Sequence, residues 1–116
     1  MPLYATLIYT ADVDWSAPEH AEETAEYGVF GQAAAAVIRG GAALYPTSTA
    51  TTVRVDGGKG GDVVTTDGPY TETKEVLTGF YLLECADLDE AIEIARAHPM
   101  ARGGRLELRP FADFEQ

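Results

Sequence analysis

Cysteine is nearly absent from this chain: Cys85 is the only one among 116 residues, so no intramolecular disulfide can form and no cysteine-based zinc set exists. Histidine is almost as scarce, with His20 and His98 far apart and no H-E-x-x-H spacing, which leaves a His-based metal centre without ligands. Basic residues are few as well: 8 Lys and Arg stand against 19 Asp and Glu, a formal net charge of −11. Such a charge opposes contact with a phosphate backbone and adsorption to an anionic bilayer, so neither nucleic acid nor membrane is an expected partner. No apolar run is long enough to span a bilayer, and Met1-Pro2-Leu3-Tyr4 lacks the basic region and small-residue cleavage site of a signal peptide. Cytoplasm is the expected compartment. No G-x-G-x-x-G, Walker A or G-x-S-x-G pattern is present either, so nothing implies a nucleotide, a cofactor or a serine nucleophile.

What is present is an ordinary globular balance, with 46% hydrophobic and 23% charged residues, enough for one domain over residues 1–116 to bury a core unaided. Cys85 falls in the apolar run Phe80 to Cys85, where a thiol behaves as a small buried hydrophobe.

Tyr4 to Thr10 is rich in β-branched and aromatic residues and reads as a first strand. Ser16-Ala17-Pro18-Glu19 offers a cap, an early proline and an early acid, and predicts a helix from Pro18 to about Arg39 with Tyr27, Phe30, Ala34, Val37 and Ile38 on one face. Gly40-Gly41 is its expected stop. Strand-like pieces follow at Ala42 to Tyr45 and Ala50 to Val55, then a glycine-rich hairpin turn from Asp56 to Gly61, and a returning strand from Asp62 to Thr66. Thr78 to Cys85 is the most hydrophobic strand and is expected at the centre of the sheet. Asp87 caps a second helix through Ala97, with Leu88, Ala91, Ile92 and Ala95 inward, and Arg105 to Arg109 closes as an alternating strand. The order β-α-β-β-β-α-β is a split βαβ plan with an added hairpin strand: an α+β fold with an antiparallel sheet and helices on one face.

Between the hairpin strand and the central strand lies the most informative stretch, Asp67-Gly68-Pro69-Tyr70-Thr71-Glu72-Thr73-Lys74-Glu75. Gly68 can take positive φ, Pro69 fixes its own φ, and Asp67 can bond forward into the turn, so the charged side chains that follow stand on a stiff base. Together with Glu107 and Arg109 of the last strand they form the candidate site, since strand pairing is expected to bring the end of that strand near the loop. Two chemistries fit. The groups can pair among themselves and fix the turn, or one carboxylate, Asp67 first, can act as a general base while Lys74 or Arg109 binds a substrate oxygen. A carboxylate cluster can hold Mg²⁺ or Ca²⁺, but nothing in the spacing requires a metal. His98, before Pro99 at a helix end, is expected to cap that end as a cation, and His20 to lie in solvent.

This signature, with Gly79-Phe80-Tyr81 and the closing Leu106-Glu107-Leu108-Arg109-Pro110, resembles the YCII-related proteins of the DGPF subgroup. The resemblance implies a ferredoxin-like α+β domain whose sheets pack face to face in a homodimer, a dimeric α+β barrel, the opposing faces enclosing small clefts. Tyr70 stands where the subgroup more often has Phe. Relatives outside the subgroup are associated with a His–Asp pair near the first helix, but His20 does not lie in a copy of that motif. Members of assigned function are few, and two readings follow from the resemblance. One is a small cofactor-independent lyase or isomerase acting on a small polar or anionic molecule in a cleft between sheet and helices. The other is a non-catalytic ligand-binding or accessory protein whose protein partner is an extracytoplasmic-function-type sigma factor. A third role for the charged loop is to build the homodimer.

Overall fold

A computed structural model describes residues 2–112. Its strands are β1 (Leu3–Ala11), β2 (Ile38–Ala43), β3 (Thr51–Asp56), β4 (Asp62–Asp67), β5 (Glu75–Glu84) and β6 (Arg105–Pro110), with helices α1 (Ala21–Ala33), α2 (Leu88–Ala95) and α3 (Met100–Gly103). Strands β2-β5-β1-β6 form one four-stranded sheet, and β3-β4 a separate two-stranded one. All pairings are antiparallel. This is the ferredoxin-like α+β arrangement, with a hairpin inserted between the second and third strands of the sheet.

Alternation along β1 decides which face is dry. Tyr4, Thr6, Ile8 and Thr10 are buried under the helices, whereas Leu3, Ala5, Leu7 and Tyr9 face the other way and are only partly covered. The register places Leu77, Phe80 and Leu82 of β5 on that second face beside Tyr9, Leu7 and Ala5, and Arg105, Glu107 and Arg109 of β6 on its far side. Beneath the helices Tyr4, Leu83, Cys85 and Ala91 make the core, with Val37, Ile38, Tyr81, Ile94 and Leu108 packed against it. Burial, then the nearby Glu90 and Asp87 carboxylates, push the Cys85 thiol above its ordinary range, so it stays protonated and inert.

The first helix is shorter than its sequence predicts. A 3-10 turn at Pro18–His20 precedes α1, and Ser16 does not cap it: its amide and hydroxyl donate to Asp14 Oδ1 at 2.9 and 2.6 Å. At the other end α1 stops at Ala33 rather than near Arg39. Sheet hydrogen bonding overrides the alanine-rich helix propensity there. The Glu84 amide takes the Val37 carbonyl at 2.9 Å, and Ile38 pairs with Leu83. Gly40-Gly41 therefore lies inside β2 instead of ending a helix. A Cβ on Gly41, where φ is +155°, would meet the Phe80 carbonyl oxygen at 2.5 Å, so glycine lets the two strands close.

Helix α2 carries its expected cap. Asp87 Oδ1 accepts from the Glu90 amide at 2.9 Å, and Glu90 Oε1 in turn accepts from the Ala86 amide. Its inward line is Ala91, Ala95 and the partly buried Ile94; Leu88 and Ile92, expected inward, remain 48% and 45% exposed because they flank that line. His98-Pro99 ends the helical segment as expected, but His98 is not a surface cation. It is fully buried, its Nδ1 accepts from the Met100 amide at 3.1 Å, and burial alone pushes its pKa down to about 4. It caps the start of α3 as a neutral ring.

Candidate functional site: an aromatic cleft and the signature loop

Edge strand β2 is built from small residues, Gly40 to Ala43, and its neighbour β5 has Gly79 facing it, where a Cβ would lie 2.9 Å from the Ala42 carbonyl oxygen. Where large side chains are missing from two adjacent strands, the helix above cannot fill the space. The result is a cleft between α1 and the β2–β5 edge, in two compartments that share Tyr27 and Ala43. The inner one, about 240 Å³, is floored by Ile8, Gly41, Thr78 and Gly79 and walled by Tyr81. The outer one, about 300 Å³, is lined by Trp15, Thr24, Leu44, Tyr45 and the rim residues Asp14 and Ser16.

A row of rings backs this cleft. Trp15 lies 6.3 Å from Tyr27, Tyr27 4.9 Å from His98, and His98 4.8 Å from Phe30 and 5.6 Å from Tyr81, centroid to centroid. These separations are those of favourable tilted and edge-on aromatic pairs. Burial, reinforced by Tyr81 and Glu23, pushes the Tyr27 phenol up to about 12, and burial also raises Tyr81. Both are neutral hydroxyls at neutral pH. Because His98 Nδ1 accepts, the ring proton belongs to Nε2, and that buried N–H has no acceptor among the described residues; neither has the buried indole N–H of Trp15. The Asp14 carboxyl at the rim is held below its usual range, mainly by the Ser16 hydroxyl and then by the Ser16 amide, so it stays anionic. No Lys or Arg lines either compartment.

The signature loop forms a different surface. Asp67 ends β4 opposite Thr51 and is exposed. Gly68 takes φ +97°, its amide donates to the Ala50 carbonyl at 2.7 Å, and its own carbonyl accepts from the Thr52 hydroxyl at 2.8 Å. Pro69, Thr71, Glu72 and Thr73 line an open groove of about 550 Å³ with Asp12, Pro46, Thr47, Ser48 and Val76. Asp12 accepts from both the Thr47 hydroxyl and the Thr47 amide, bonds that lower its pKa and tie the groove's far wall to the end of β1. Tyr70, 88% exposed, points away from any packed surface.

Lys74 has no ion pair among the described residues, and Glu75 lies 3.7 Å from Arg105 at the start of β6. It is thus the beginning of the last strand, not its end, that approaches the loop. Glu107 accepts weakly from the Tyr9 hydroxyl at 3.5 Å, and Arg109 pairs across from Ala5, about 13 Å further along the strand than Arg105. The loop's two ends therefore part company, Asp67 staying with the hairpin and Glu75 with the sheet. Sequence reasoning did not single out Arg105, nor Trp15, Tyr27, Tyr45 and His98 as a group. The small residues on two strands were the available signal. Among the described residues no three His, Cys, Asp or Glu side chains gather as a metal site would need. No helix there is long and apolar enough to cross a membrane.

Sheet order, inserted hairpin and cleft define a small ferredoxin-like α+β protein. The sequence pattern of the YCII-related domain matches residues 3–115, and the chain belongs to that family. It is also 47% identical over 75 residues to an uncharacterized protein of Rhizobium meliloti (strain 1021), a match covering 61% of this chain and 56% of the relative. The chain thus spans little more than half of that relative's length.

Proposed function

We propose that this YCII-related protein binds a small, neutral, planar molecule carrying an acceptor oxygen, such as a phenol, lactone or aromatic carbonyl compound, in the cleft between α1 and the β2–β5 edge. The observation that carries this reading is the lining: aromatic walls, a glycine floor, Trp15 with a buried indole N–H that has no acceptor among the described residues, and no cation to draw an anion. Ligand binding of this kind suits the accessory, sensor-like role implied by the DGPF resemblance, with an extracytoplasmic-function-type sigma factor as protein partner. The lyase or isomerase reading attaches instead to the groove beside the signature loop. There Glu72 is an exposed carboxylate at the wall, and Asp67, Lys74 and Glu75 flank it in sequence. The open, largely apolar sheet face of Leu7, Leu77, Phe80 and Leu82 supports a homodimer with that face at its centre. Cytoplasmic location belongs to the same proposal.

Trp15, the only tryptophan, provides the test. Neutral phenols and lactones are expected to quench its emission saturably, and Ala43→Phe, which fills the space shared by both compartments, to abolish the effect while Asp67→Asn leaves it intact. Binding lost in Asp67→Asn and kept in Ala43→Phe would move the site to the loop. Turnover assays on any ligand found then separate enzyme from sensor.

A further inference from the structure

Strands β3 and β4 pair over six residues each yet pack extensively against nothing but each other. Their register puts Thr51, Val53, Val55, Val63, Thr65 and Asp67 on one face. Three valines in that row are exposed, at 61%, 47% and 65% for Val53, Val55 and Val63. A lone two-stranded hairpin is marginal in water, and a β-branched stripe left bare on it gains nothing for the single chain. The hairpin is nevertheless firmly rooted. Asp12 clamps Thr47 before β3, and Gly68 closes on Ala50 and Thr52 after β4.

The proportions of the whole chain point the same way. It is a slab of 47 × 46 × 19 Å with a radius of gyration of 16.5 Å, where a compact domain of this length has about 13 Å. Its accessible surface is 8023 Å², and a compact monomer of 12.4 kDa exposes about 6,100 Å². The excess, about 1,900 Å², is of the size that each partner of a permanent homodimer buries, roughly 1,000–2,500 Å².

We infer that the β3–β4 hairpin is a dimerisation arm whose valine face packs on a second copy of this chain. This rests on the homodimer reading above and extends it, because the open sheet face alone leaves the arm bare. A second copy is favoured by area, since the excess surface matches what each partner of a permanent homodimer buries. Two chains of net charge −11 repel, so contact must be led by apolar surface with local matches. The valine face carries one acid, Asp67, and no base, while the edge strand beside the open sheet face presents Arg109 and, near Glu75, Arg105, with Glu107 between them.

Sedimentation equilibrium on wild type, Val53→Lys/Val63→Lys and Phe80→Lys, each checked for a native circular dichroism spectrum, tests this. Wild type is expected to be a dimer, and the double lysine variant to dissociate at concentrations about tenfold or more higher. Both substitutions lie outside the core, so folding is spared. Amide exchange at Val53 and Val63 in wild type is expected to slow as protein concentration rises through the dimer transition. A dimer untouched by the double variant but broken by Phe80→Lys overturns the arm and keeps the sheet interface. A wild-type monomer, or a dimer indifferent to both changes, overturns both.

Discussion

The four-stranded sheet and the β3–β4 hairpin are built from similar residues and end in opposite states. In the sheet, Thr78, Gly79 and Leu83 are buried because β5 lies between two strands and beneath a helical layer. In the hairpin, Thr-Thr-Val-Arg-Val pairs just as regularly with Val63 to Asp67, and almost every residue is exposed. Strand propensity sets the pairing in both; only the layer above sets the burial, and hence the energy. Breaking that contrast is the largest effect to look for. Leu83→Ala removes a side chain with no exposure from the centre of the core and is expected to cost about 3 kcal/mol. Thr66→Ala in β4 is expected to stay within about 0.5 kcal/mol. Urea unfolding measures both, and near-equal losses would mean that the hairpin is part of the cooperative core.

His98 sharpens the same contrast through pH, since the buried titrating imidazole lies under the sheet and the hairpin carries none. Its folded pKa, about 4, lies below the ordinary value of 6.5. Below pH 6.5 the unfolded chain takes up a proton that the folded chain refuses, so stability is complete above that pH and falls as pH drops toward 4. The loss is expected to reach about 2–3 kcal/mol. Tyr27, Phe30 and Tyr81, the rings against it, carry no charge in this window. The lowered Asp12 and Asp14 carboxyls lose their contribution only below about pH 3.8, outside it. Thermal melts from pH 7.5 to 4.5 should fall steadily for wild type and much less for His98→Asn, which keeps an acceptor for the Met100 amide. Parallel slopes in the two proteins would remove His98 as the cause.

Local features were legible in the sequence and assembled ones were not. The positive φ of Gly68, the Asp87 cap and the alternation of β6 each depend on a few neighbouring residues, and each stands where the pattern put it, although Asp67 makes no forward bond among the described residues. The end of α1 was misread because helix propensity is local, while the competing hydrogen bond from Glu84 arrives from far along the chain. The lining of the cleft was not legible for the same reason: Ile8, Tyr27, Gly41 and Gly79 meet only after the sheet is formed. His98 looked like an exposed helix end because nothing near it in sequence announces the ring cage of Tyr27, Phe30 and Tyr81.

The smallest effect is the one that tells most about the signature loop. Gly68 adopts φ +97°, and a Cβ there would meet nothing within 4 Å, so Gly68→Ala adds no clash and leaves only the backbone cost of a left-handed alanine, about 1 kcal/mol. Gly68 holds the root of the hairpin through Ala50 and Thr52, so that cost should be met there, by local opening, rather than by the sheet. Amide exchange at Thr52 to Val55 is expected to speed up about fivefold, with exchange at Leu82 and Leu83 unchanged. The same variant loosens Pro69 to Thr73, which line the groove beside Asp12, without altering any of their side chains. A general acceleration reaching β5 would mean that hairpin and sheet open together, and the separation on which the two-region reading depends would fall.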